Sequence, residues 1–353
     1  MRMKKGDGNG GARDSAETAR EWKTPVNMQI FVSHRIDLDA ELIDNPLYVP
    51  VRCGAVYDRR ENISMLGDDT GDNISEKRLS FCEFTVQYWA WKNVNADYYG
   101  LCHYRRYLSF ARRRFSRVNA HNMIEVPLLT RRTKARYGLL DAEAMRREIA
   151  RYDMIVLEPG LVERIPTYTG EQAHTVRQLW EAHAGLFVAK SSVDDLLERI
   201  DRLAPAYSQS AREYFAGNRH FGYNCYVMKR ACFEQLCGFQ FPILFDLEKT
   251  LPKETMEAYP RIIGYMGEML YGVFVYRQIS LSAQRTVLKQ IVFFEDATKI
   301  RGPLDAAGRF LRAKSRSGMR KAFHLLCPVG TARRARIKQI MHRRRGRIYE
   351  KAV

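Results

Sequence analysis

Residues 98–108 read YYGLCHYRRYL, an apolar run that ends in two adjacent arginines. The apolar part is typical of a buried strand, whose interior rarely carries charge. Side chains alternate along a strand, so His103 and Arg105 would share one face. Tyr104 and Arg106 would share the other. If this strand is central in an open α/β sheet, the arginine pair lies near its carboxyl end, where such sheets bind ligands.

The two guanidinium groups require a partner of opposite charge. Arginine suits phosphate, because its planar fork can bind two oxygens at once and its charge is permanent. An aspartate or glutamate on a neighbouring segment would satisfy the same groups as a structural ion pair. From the spacing alone, both interpretations stay open.

Strand and helix patterns alternate on both sides of this stretch. Residues 28–35 form a short apolar run that predicts a first buried strand, and residues 48–58 are also β-prone. Pro50 argues against a central place for the second segment, because proline cannot donate to a strand ladder. Apolar residues at steps of three and four predict one amphipathic helix over 76–92.

The same alternation continues towards the carboxyl end. We predict a strand at 154–160, a strand followed by a helix within 220–239, and helices over 139–153, around 176–203 and over 260–278. Residues 111–137 are basic and give no clear pattern. Short apolar strands that alternate with helices favour an α/β sheet with helices on both faces.

Composition describes a globular protein of 353 residues, 46% hydrophobic and 11% aromatic, with enough chain for a sizeable core. No run of eighteen apolar residues is present, so we expect no spanning helix. Residues 1–27 are polar and glycine-rich; we predict a disordered arm rather than a secretory signal. The seven cysteines form no CxxC pair. This pattern predicts reduced thiols in a cytosolic protein and no zinc site.

The net charge of +18 is concentrated at one end of the chain. Residues 301–353 hold sixteen basic residues against two acidic ones, or +14, and the first 300 residues carry only +4. We therefore do not expect the globular part to bind nucleic acid. Within 308–326, apolar residues are interleaved with arginine and lysine, as in helices that lie on anionic bilayers. A nucleic-acid-binding tail and a disordered basic terminus are the alternatives.

Several segments, in this order, resemble a bacterial family of capsular and exopolysaccharide biosynthesis proteins that are regarded as glycosyltransferases. They are IFVSH (30–34), GDNISEK (71–77), YWAWKN (88–93), YYGLCHYRRYL (98–108), YDMIVLEP (152–159), YNCYVMKR (223–230) and RIIGYMGEML (261–270). The family's His-Tyr-Arg-Arg-Tyr signature stands unaltered at 103–107. The resemblance covers roughly residues 28–300. It therefore divides the chain into an arm (1–27), a glycosyltransferase domain (28–300) and a basic amphipathic tail (301–353).

This resemblance implies a nucleotide-sugar-dependent transferase with a GT-A-like, Rossmann-type mixed sheet flanked by helices. Most enzymes of that type hold the donor diphosphate through a metal bound by an Asp-x-Asp motif. Here we expect Arg105 and Arg106 to replace the cation and to neutralise the leaving nucleoside diphosphate. We predict no cofactor, although a divalent cation bound near Asp37 and Asp39 or near 68–72 stays open.

Donor and acceptor contacts are expected from six further residues. His103 and Tyr104 belong to the signature, and Asp72 and Asn73 belong to the recurring GDNIS unit. His34 stands at the end of the first predicted strand, and Asn224 lies in the segment 220–239, which also holds a predicted strand. Alternatively, His34 is a solvated loop residue with no ligand. The helix predicted to begin near residue 76 would direct its free backbone N–H groups towards a bound anion.

Transfer with inversion needs a base that takes the acceptor's hydroxyl proton. Glu268 is our first candidate, because Gly264 and Gly267 beside it would let a substrate or another backbone approach closely. The alternative is that Glu268 pairs with Arg261 or another residue as a helix stabiliser. Glu158 and Asp246 are the other carboxylates considered.

The sequence thus predicts a transferase that moves a sugar from a nucleotide-sugar donor to a polysaccharide or lipid-linked acceptor in cell-surface polysaccharide synthesis. We expect it in the cytoplasm, peripheral at the inner face of the cell membrane. The alternative is a non-catalytic basic protein that binds membrane or nucleic acid through its C-terminal tail.

Overall fold

The computed structural model describes residues 26–61, 63–338 and 340 of the chain. Nearly all of the predicted N-terminal arm and the last part of the basic tail lie outside the described residues.

The strands are β1 Met28–Arg35, β2 Tyr48–Cys53, β3 Leu66–Gly67, β4 Tyr98–His103, β5 Arg106–Leu108, β6 Met123–Leu128, β7 Met154–Leu157, β8 Gly160–Leu161, β9 Arg219–His220, β10 Tyr226–Lys229, β11 Thr286–Lys289 and β12 Ile291–Asp296. The helices are α1 Arg78–Phe81, α2 Phe84–Asn93, α3 Arg131–Arg136, α4 Ala142–Ile149, α5 Val176–Glu181, α6 Ser192–Leu203, α7 Ser208–Ala216, α8 Arg230–Thr250, α9 Lys253–Ala258, α10 Ile262–Ser280 and α11 Pro303–Leu326.

A mixed, mostly parallel sheet forms the centre of the molecule, in the order β11-β7-β10-β4-β1-β2-β3. Only β10 runs antiparallel to its neighbours in this row, β4 and β7. The predicted α/β sheet flanked by helices is confirmed, and β4 is indeed a central strand. Pro50 is accommodated in β2 because the two-residue β3 pairs only with Val51 and Arg52, so no ladder bond is needed from Pro50 on that side.

The signature segment is a tight hairpin rather than one continuous strand. Strand β4 ends at His103, the chain turns at Tyr104 and Arg105, and Arg106 begins β5 and pairs back with His103. Strand β5 pairs with β12, which also pairs with β6 in a branch of the sheet. The arginine pair therefore lies at the carboxyl end of the central strand, as predicted.

The helix predicted over 76–92 is interrupted in the structure. Residues Ser75–Lys77 form a 3-10 turn, α1 follows, and Cys82 then has a positive φ of 53°. Such a conformation costs a non-glycine residue about 1–3 kcal/mol and persists only where the surroundings enforce it. The break makes Glu83 the residue that precedes α2.

Helices α8 and α10 build the core on one side of the sheet. Most of α10 is buried, and Phe233 of α8 stacks on Tyr99 of β4 with ring centroids 4.4 Å apart. Gly267 of α10 is required for this close packing, because a Cβ there would lie 2.5 Å from the ring of Phe84. Glu268 is thereby held on a rigid helix beside the start of α2.

Helix α11, the first part of the basic tail, packs on the sheet. Its inner face buries Ala313, and Arg320 forms ion pairs with Glu125 of β6 and Glu295 of β12. The helical start of the tail is confirmed, and this helix is joined to the body of the protein by these contacts. Among the described residues, no helix combines the length and apolar character needed to cross a bilayer.

Candidate active site

The arginine pair has no acidic partner. Within the described part of the chain, no carboxylate oxygen lies within 4.0 Å of Arg105 or Arg106, and the buried Nε of each lacks a hydrogen-bond partner. The structural ion pair that the sequence left open is therefore not formed. Aromatic rings hold the guanidinium groups instead: Arg105 lies 5.4 Å from the centroid of Phe293, and Arg106 lies 5.1 Å from that of Tyr223. These contacts leave the N–H groups free for an anion.

Two histidines, the buried His34 and the half-buried His103, flank the arginines and are neutral near pH 7. Burial and the charges of the neighbouring arginines hold the pKa of His103 well below its usual value. Burial lowers the pKa of His34 to about 4. His34 is 1% exposed within β1, and its Nδ1 has no partner in the described residues. The alternative of a solvated loop residue is therefore wrong. Tyr104 is buried beside both histidines, with centroid distances of 4.2 Å to His103 and 6.1 Å to His34.

Glu268 is half-buried in the same cluster, at the second turn of α10. The backbone N–H of Tyr223 donates to its carboxylate, and Arg106 is near enough to favour the ionised form. Burial and the nearby carboxylate of Glu83 outweigh these effects and raise the pKa of Glu268 to about 7. A carboxylate with that pKa is half ionised at neutral pH and suited to proton transfer.

Glu83 is a second carboxylate in the site, and sequence reasoning missed it. Its Oε1 accepts a hydrogen bond of 3.0 Å from Nδ2 of Asn224, which is itself 2% exposed. Glu83 was hidden inside a helix predicted to be continuous. No residue type at Cys82, such as glycine, indicated the break that places Glu83 here.

A strained segment before β10 wraps around the two carboxylates. Tyr223 and Asn224 both have positive φ angles, 69° and 40°. At Gly222, a Cβ would lie 2.6 Å from Oε1 of Glu268, so no larger residue fits without displacing that carboxylate. Strain of this kind is concentrated at functional sites. The local geometry therefore positions Asn224 and Glu268 together.

His121 extends the cluster on its outer side. Its Nδ1 lies 2.6 Å from the hydroxyl of Tyr223, and burial together with Arg106 lowers its pKa to about 4. Tyr223 is thus fixed between the ring of His121 and the guanidinium of Arg106. His121 lies in the stretch 111–137, whose sequence gave no pattern from which its place could be found.

Asp72 and Asn73 lie apart from this cluster. Asp72 accepts a 3.0 Å hydrogen bond from the hydroxyl of Tyr88, and its backbone N–H donates to Asn93 at the end of α2. Asn73 bonds the backbone of its own turn. Glu83 precedes the first turn of the same ten-residue helix, and ten residues of helix span about 15 Å. Contact of Asp72 and Asn73 with the donor stays a prediction.

The other acidic candidates have structural partners. Glu158 pairs with Arg114, and Asp246 pairs with two arginines of α6. Asp68 is fully buried and accepts hydrogen bonds from the hydroxyls of Ser75 and Thr85. Across the residues that the structure describes, no group of three or more His, Cys, Asp or Glu side chains is arranged to hold a metal ion.

Arg261 does not pair with Glu268 either. Its Nε donates to the sulfur of Cys82 at 3.1 Å, and no ion pair joins it to a carboxylate among the described residues. The alternative that Glu268 merely stabilises the helix through Arg261 is therefore not supported. The carboxylate of Glu268 accepts from the backbone N–H of Tyr223 instead.

The sheet order and the flanking helices define an α/β protein with a mixed, mostly parallel central sheet. Residues 29–279 match the model of a family described as a domain of unknown function, DUF4422, and the chain belongs to that family. The matched range lies within the roughly 28–300 that the motifs marked.

A solved structure shares this fold: the apo structure of WbbM, a bifunctional glycosyltransferase. The two are 24% identical with a TM-score of 0.69 over 79% of this chain and 47% of that chain. This chain thus covers about half the length of WbbM. A search of curated proteins found no match.

Proposed function

We propose that this protein is a glycosyltransferase that moves a sugar from a nucleotide-sugar donor to a saccharide or lipid-linked acceptor in cell-surface polysaccharide synthesis. One observation carries the proposal: an unpaired arginine pair at the carboxyl end of the central strand faces a carboxylate whose pKa is about 7. The shared fold with a protein described as a bifunctional glycosyltransferase supports it.

In this proposal, Arg105 and Arg106 bind the donor diphosphate. The bond between the sugar's anomeric carbon and the diphosphate oxygen breaks during transfer, and negative charge develops on that oxygen. Fixed guanidinium groups stabilise this charge most effectively where water is excluded, and such electrostatic stabilisation is usually the largest catalytic contribution. The aromatic rings of Phe293 and Tyr223 hold both groups ready without neutralising them.

Glu268 is the proposed base. For transfer with inversion, its carboxylate takes the proton of the acceptor hydroxyl as the oxygen attacks the anomeric carbon. Glu83 raises the proton affinity of Glu268, and Asn224 holds Glu83 in place. His34, His103 and Tyr104 form the buried floor beside the diphosphate and can donate or accept single hydrogen bonds to the nucleotide.

The proposal is tested by measuring the melting temperature with a panel of nucleotide sugars. A ligand at 100 times its Kd stabilises the folded protein by roughly 2.7 kcal/mol. We expect one nucleoside diphosphate sugar to raise the melting temperature and its nucleoside to leave it unchanged, because the arginines recognise the diphosphate. No response to any member of the panel would contradict the proposal.

Transfer is expected to persist in EDTA, because Arg105 and Arg106 are proposed to do the work of a cation. The measurement is product formation with the donor found above, after dialysis against EDTA and again with added Mn²⁺ or Mg²⁺. Loss of activity on chelation and its recovery with either metal would refute cation replacement and direct attention to Asp37 and Asp39.

We also propose that α11 holds the protein at the anionic inner face of the cell membrane. Leu304, Leu311 and Met319 are 90%, 67% and 63% exposed. They follow one another at steps of seven and eight residues and so share one outward face. Lys314 and Arg312 lie on either side of that face. This arrangement is typical of helices that lie in the plane of a bilayer.

Replacing Leu304 and Leu311 by serine should weaken binding to vesicles that contain phosphatidylglycerol. Each side chain loses about 1.5–3 kcal/mol of burial, so partitioning should fall by more than tenfold. Flotation with vesicles measures this partitioning. The matched control is Leu281→Ser, which replaces an exposed leucine outside α11. Equal flotation of all three proteins would show that α11 is not the anchor. Point substitutions are preferable to removing 304–353, since that deletion would also remove the contacts of α11 with the sheet.

The runner-up is a non-catalytic basic protein recruited to a membrane or nucleic acid by its tail. It would be favoured if both arginines were held in salt bridges on a flat surface. The unpaired arginines and the nearby pair of carboxylates favour the enzyme instead.

A further inference from the structure

A cleft of about 390 Å³ lies between α11 and the end of β12, outside the cluster around Arg105 and Glu268. Basic residues dominate its lining: Lys299, Arg301, Arg309, Arg312 and Arg316. Nothing in the proposed sugar transfer uses this cleft. Its charge therefore needs a separate explanation.

The acidic residues of the lining do not neutralise these groups. Glu295 forms its ion pair with Arg320, and Asp296 accepts from the hydroxyl of Thr298 and lies 3.6 Å from Arg309. Asp39 is the third carboxylate of the lining.

Four of the five basic side chains remain without an ion pair among the described residues: Lys299, Arg301, Arg312 and Arg316. The lining as a whole carries five positive charges against three carboxylates, a net charge of +2. The cleft therefore has an excess of positive charge that is available to a ligand.

The four unpaired groups come from two walls of the cleft. Arg312 and Arg316 are four residues apart on α11 and therefore neighbours on one face of the helix. Lys299 and Arg301 belong to the loop that joins β12 to α11. Two arginine forks facing a second pair of cations suit a phosphoryl group, which offers several anionic oxygens.

The surface beside the cleft is apolar. Leu311 directly precedes Arg312 and is 67% exposed, and Leu304 and Met319 continue the same outward face. A free phosphate would make no use of this surface. A phosphoryl group attached to a hydrocarbon chain would contact both the cleft and the apolar surface. Its charge would lie in the cleft, and its chain would lie along the outward face of α11.

We propose that this cleft binds the phosphate group of an anionic lipid whose hydrocarbon chain lies on the outward face of α11. The inference rests on the membrane part of the proposed function and is independent of sugar transfer. It adds a defined headgroup site to what would otherwise be a general attraction between a basic helix and a charged surface.

The test uses the full chain and soluble probes, so that general attraction to a charged surface does not contribute. Dodecyl phosphate below its micelle concentration provides both parts of the ligand; inorganic phosphate lacks the chain and dodecyl maltoside lacks the charge. Isothermal titration measures each affinity. We expect dodecyl phosphate to bind and the other two probes to bind at least tenfold more weakly.

Matched variants locate the site. Arg312→Gln with Arg316→Gln removes two charges that line the cleft, and Lys321→Gln with Arg333→Gln removes two from elsewhere in the basic tail. The first variant should bind dodecyl phosphate roughly thirty-fold more weakly, and the second should bind as the unmodified protein does. Both should keep the response to the nucleotide sugar, because neither touches Arg105, Arg106 or Glu268.

Three results would overturn the proposal. Equal weakening in both variants would show that the cleft is not the site. Equal affinity for inorganic phosphate would replace the lipid by a free anion, and equal affinity for dodecyl maltoside would leave only an apolar surface. Failure of the proposed sugar transfer is separable, because dodecyl phosphate would still bind while no nucleotide sugar stabilised the fold.

Discussion

Replacing Glu268 by glutamine is expected to slow sugar transfer by roughly 10²–10⁴-fold, the usual contribution of a positioned general base. Glutamine keeps the shape of the side chain and can still accept from the N–H of Tyr223, so donor binding should persist. In the unmodified enzyme, kcat/KM should rise with pH through about 7, since only the ionised carboxylate accepts a proton. Steady-state rates of both proteins across this pH range test it.

The same substitution should stabilise the protein at alkaline pH. The folded-state pKa of Glu268 is raised from 4.5 to about 7, so folding favours its protonated form. This stability is fully present below about pH 4.5 and is lost as the pH rises through 7. Glu268→Gln removes that loss, which amounts to at most about 3 kcal/mol. Its melting temperature should exceed that of the unmodified protein clearly at pH 8 and only slightly at pH 5.

A pair of outcomes would contradict the assignment. If Glu268→Gln retained full activity, another group would be the base. If its stability changed equally at pH 5 and pH 8, the effect would come from packing rather than from the loss of a titrating carboxylate. Glu234→Gln, an exposed glutamate on α8, is the matched control for the substitution itself.

Replacing Arg106 by alanine is expected to weaken binding of the nucleoside diphosphate by roughly 10–100-fold. A hydrogen bond to a charged group contributes about 1.5–3 kcal/mol, and Arg106 has no carboxylate partner within 4.0 Å among the described residues whose loss would disturb the fold. Arg105→Ala should behave similarly. Arg106→Lys should recover only part of the affinity, because lysine keeps the charge but not the planar fork. Titration calorimetry measures all three.

A control variant and a second measurement accompany the prediction for Arg106. Arg113→Ala is a matched control, because Arg113 also lies over an aromatic ring, 5.0 Å from the centroid of Phe115, and does not belong to the cluster. In addition, Arg106 lowers the pKa of Glu268, so its removal should shift the pH–rate profile towards alkaline pH. Unchanged affinity in both arginine variants, with unchanged melting, would refute the diphosphate site.

The sequence predicted the centre of the fold because long apolar runs carry the information directly. The run 98–103 is fully apolar until its last residue, and burial on both faces requires such a pattern. The turn at Tyr104 and Arg105 was not visible, because it contains none of the residues that usually mark turns. Strands β11 and β12 were not predicted, because apolar and polar residues alternate irregularly along them.

Which residues lie together was predictable where one motif holds several of them, and was not predictable where the backbone conformation decides. Arg105, Arg106 and His103 are neighbours in sequence, so their proximity followed from the strand alone. The place of Glu83 depends on the positive φ of Cys82, a conformation that no residue type at this position indicates. Asp72 and Asn73 were grouped with the site by their motif, yet they lie near the opposite end of α2.

The division of the site between the β4–β5 hairpin and α10 has a consequence for biosynthesis. Glu268 is added to the growing chain 162 residues after Arg106. At ordinary rates of translation, about 10 to 30 s pass between the two. A nascent or prematurely terminated chain can therefore carry the complete signature without a base to act on an acceptor. Under the proposed mechanism, sugar transfer requires a chain that extends beyond Glu268, and products that end before this residue are expected to be inactive.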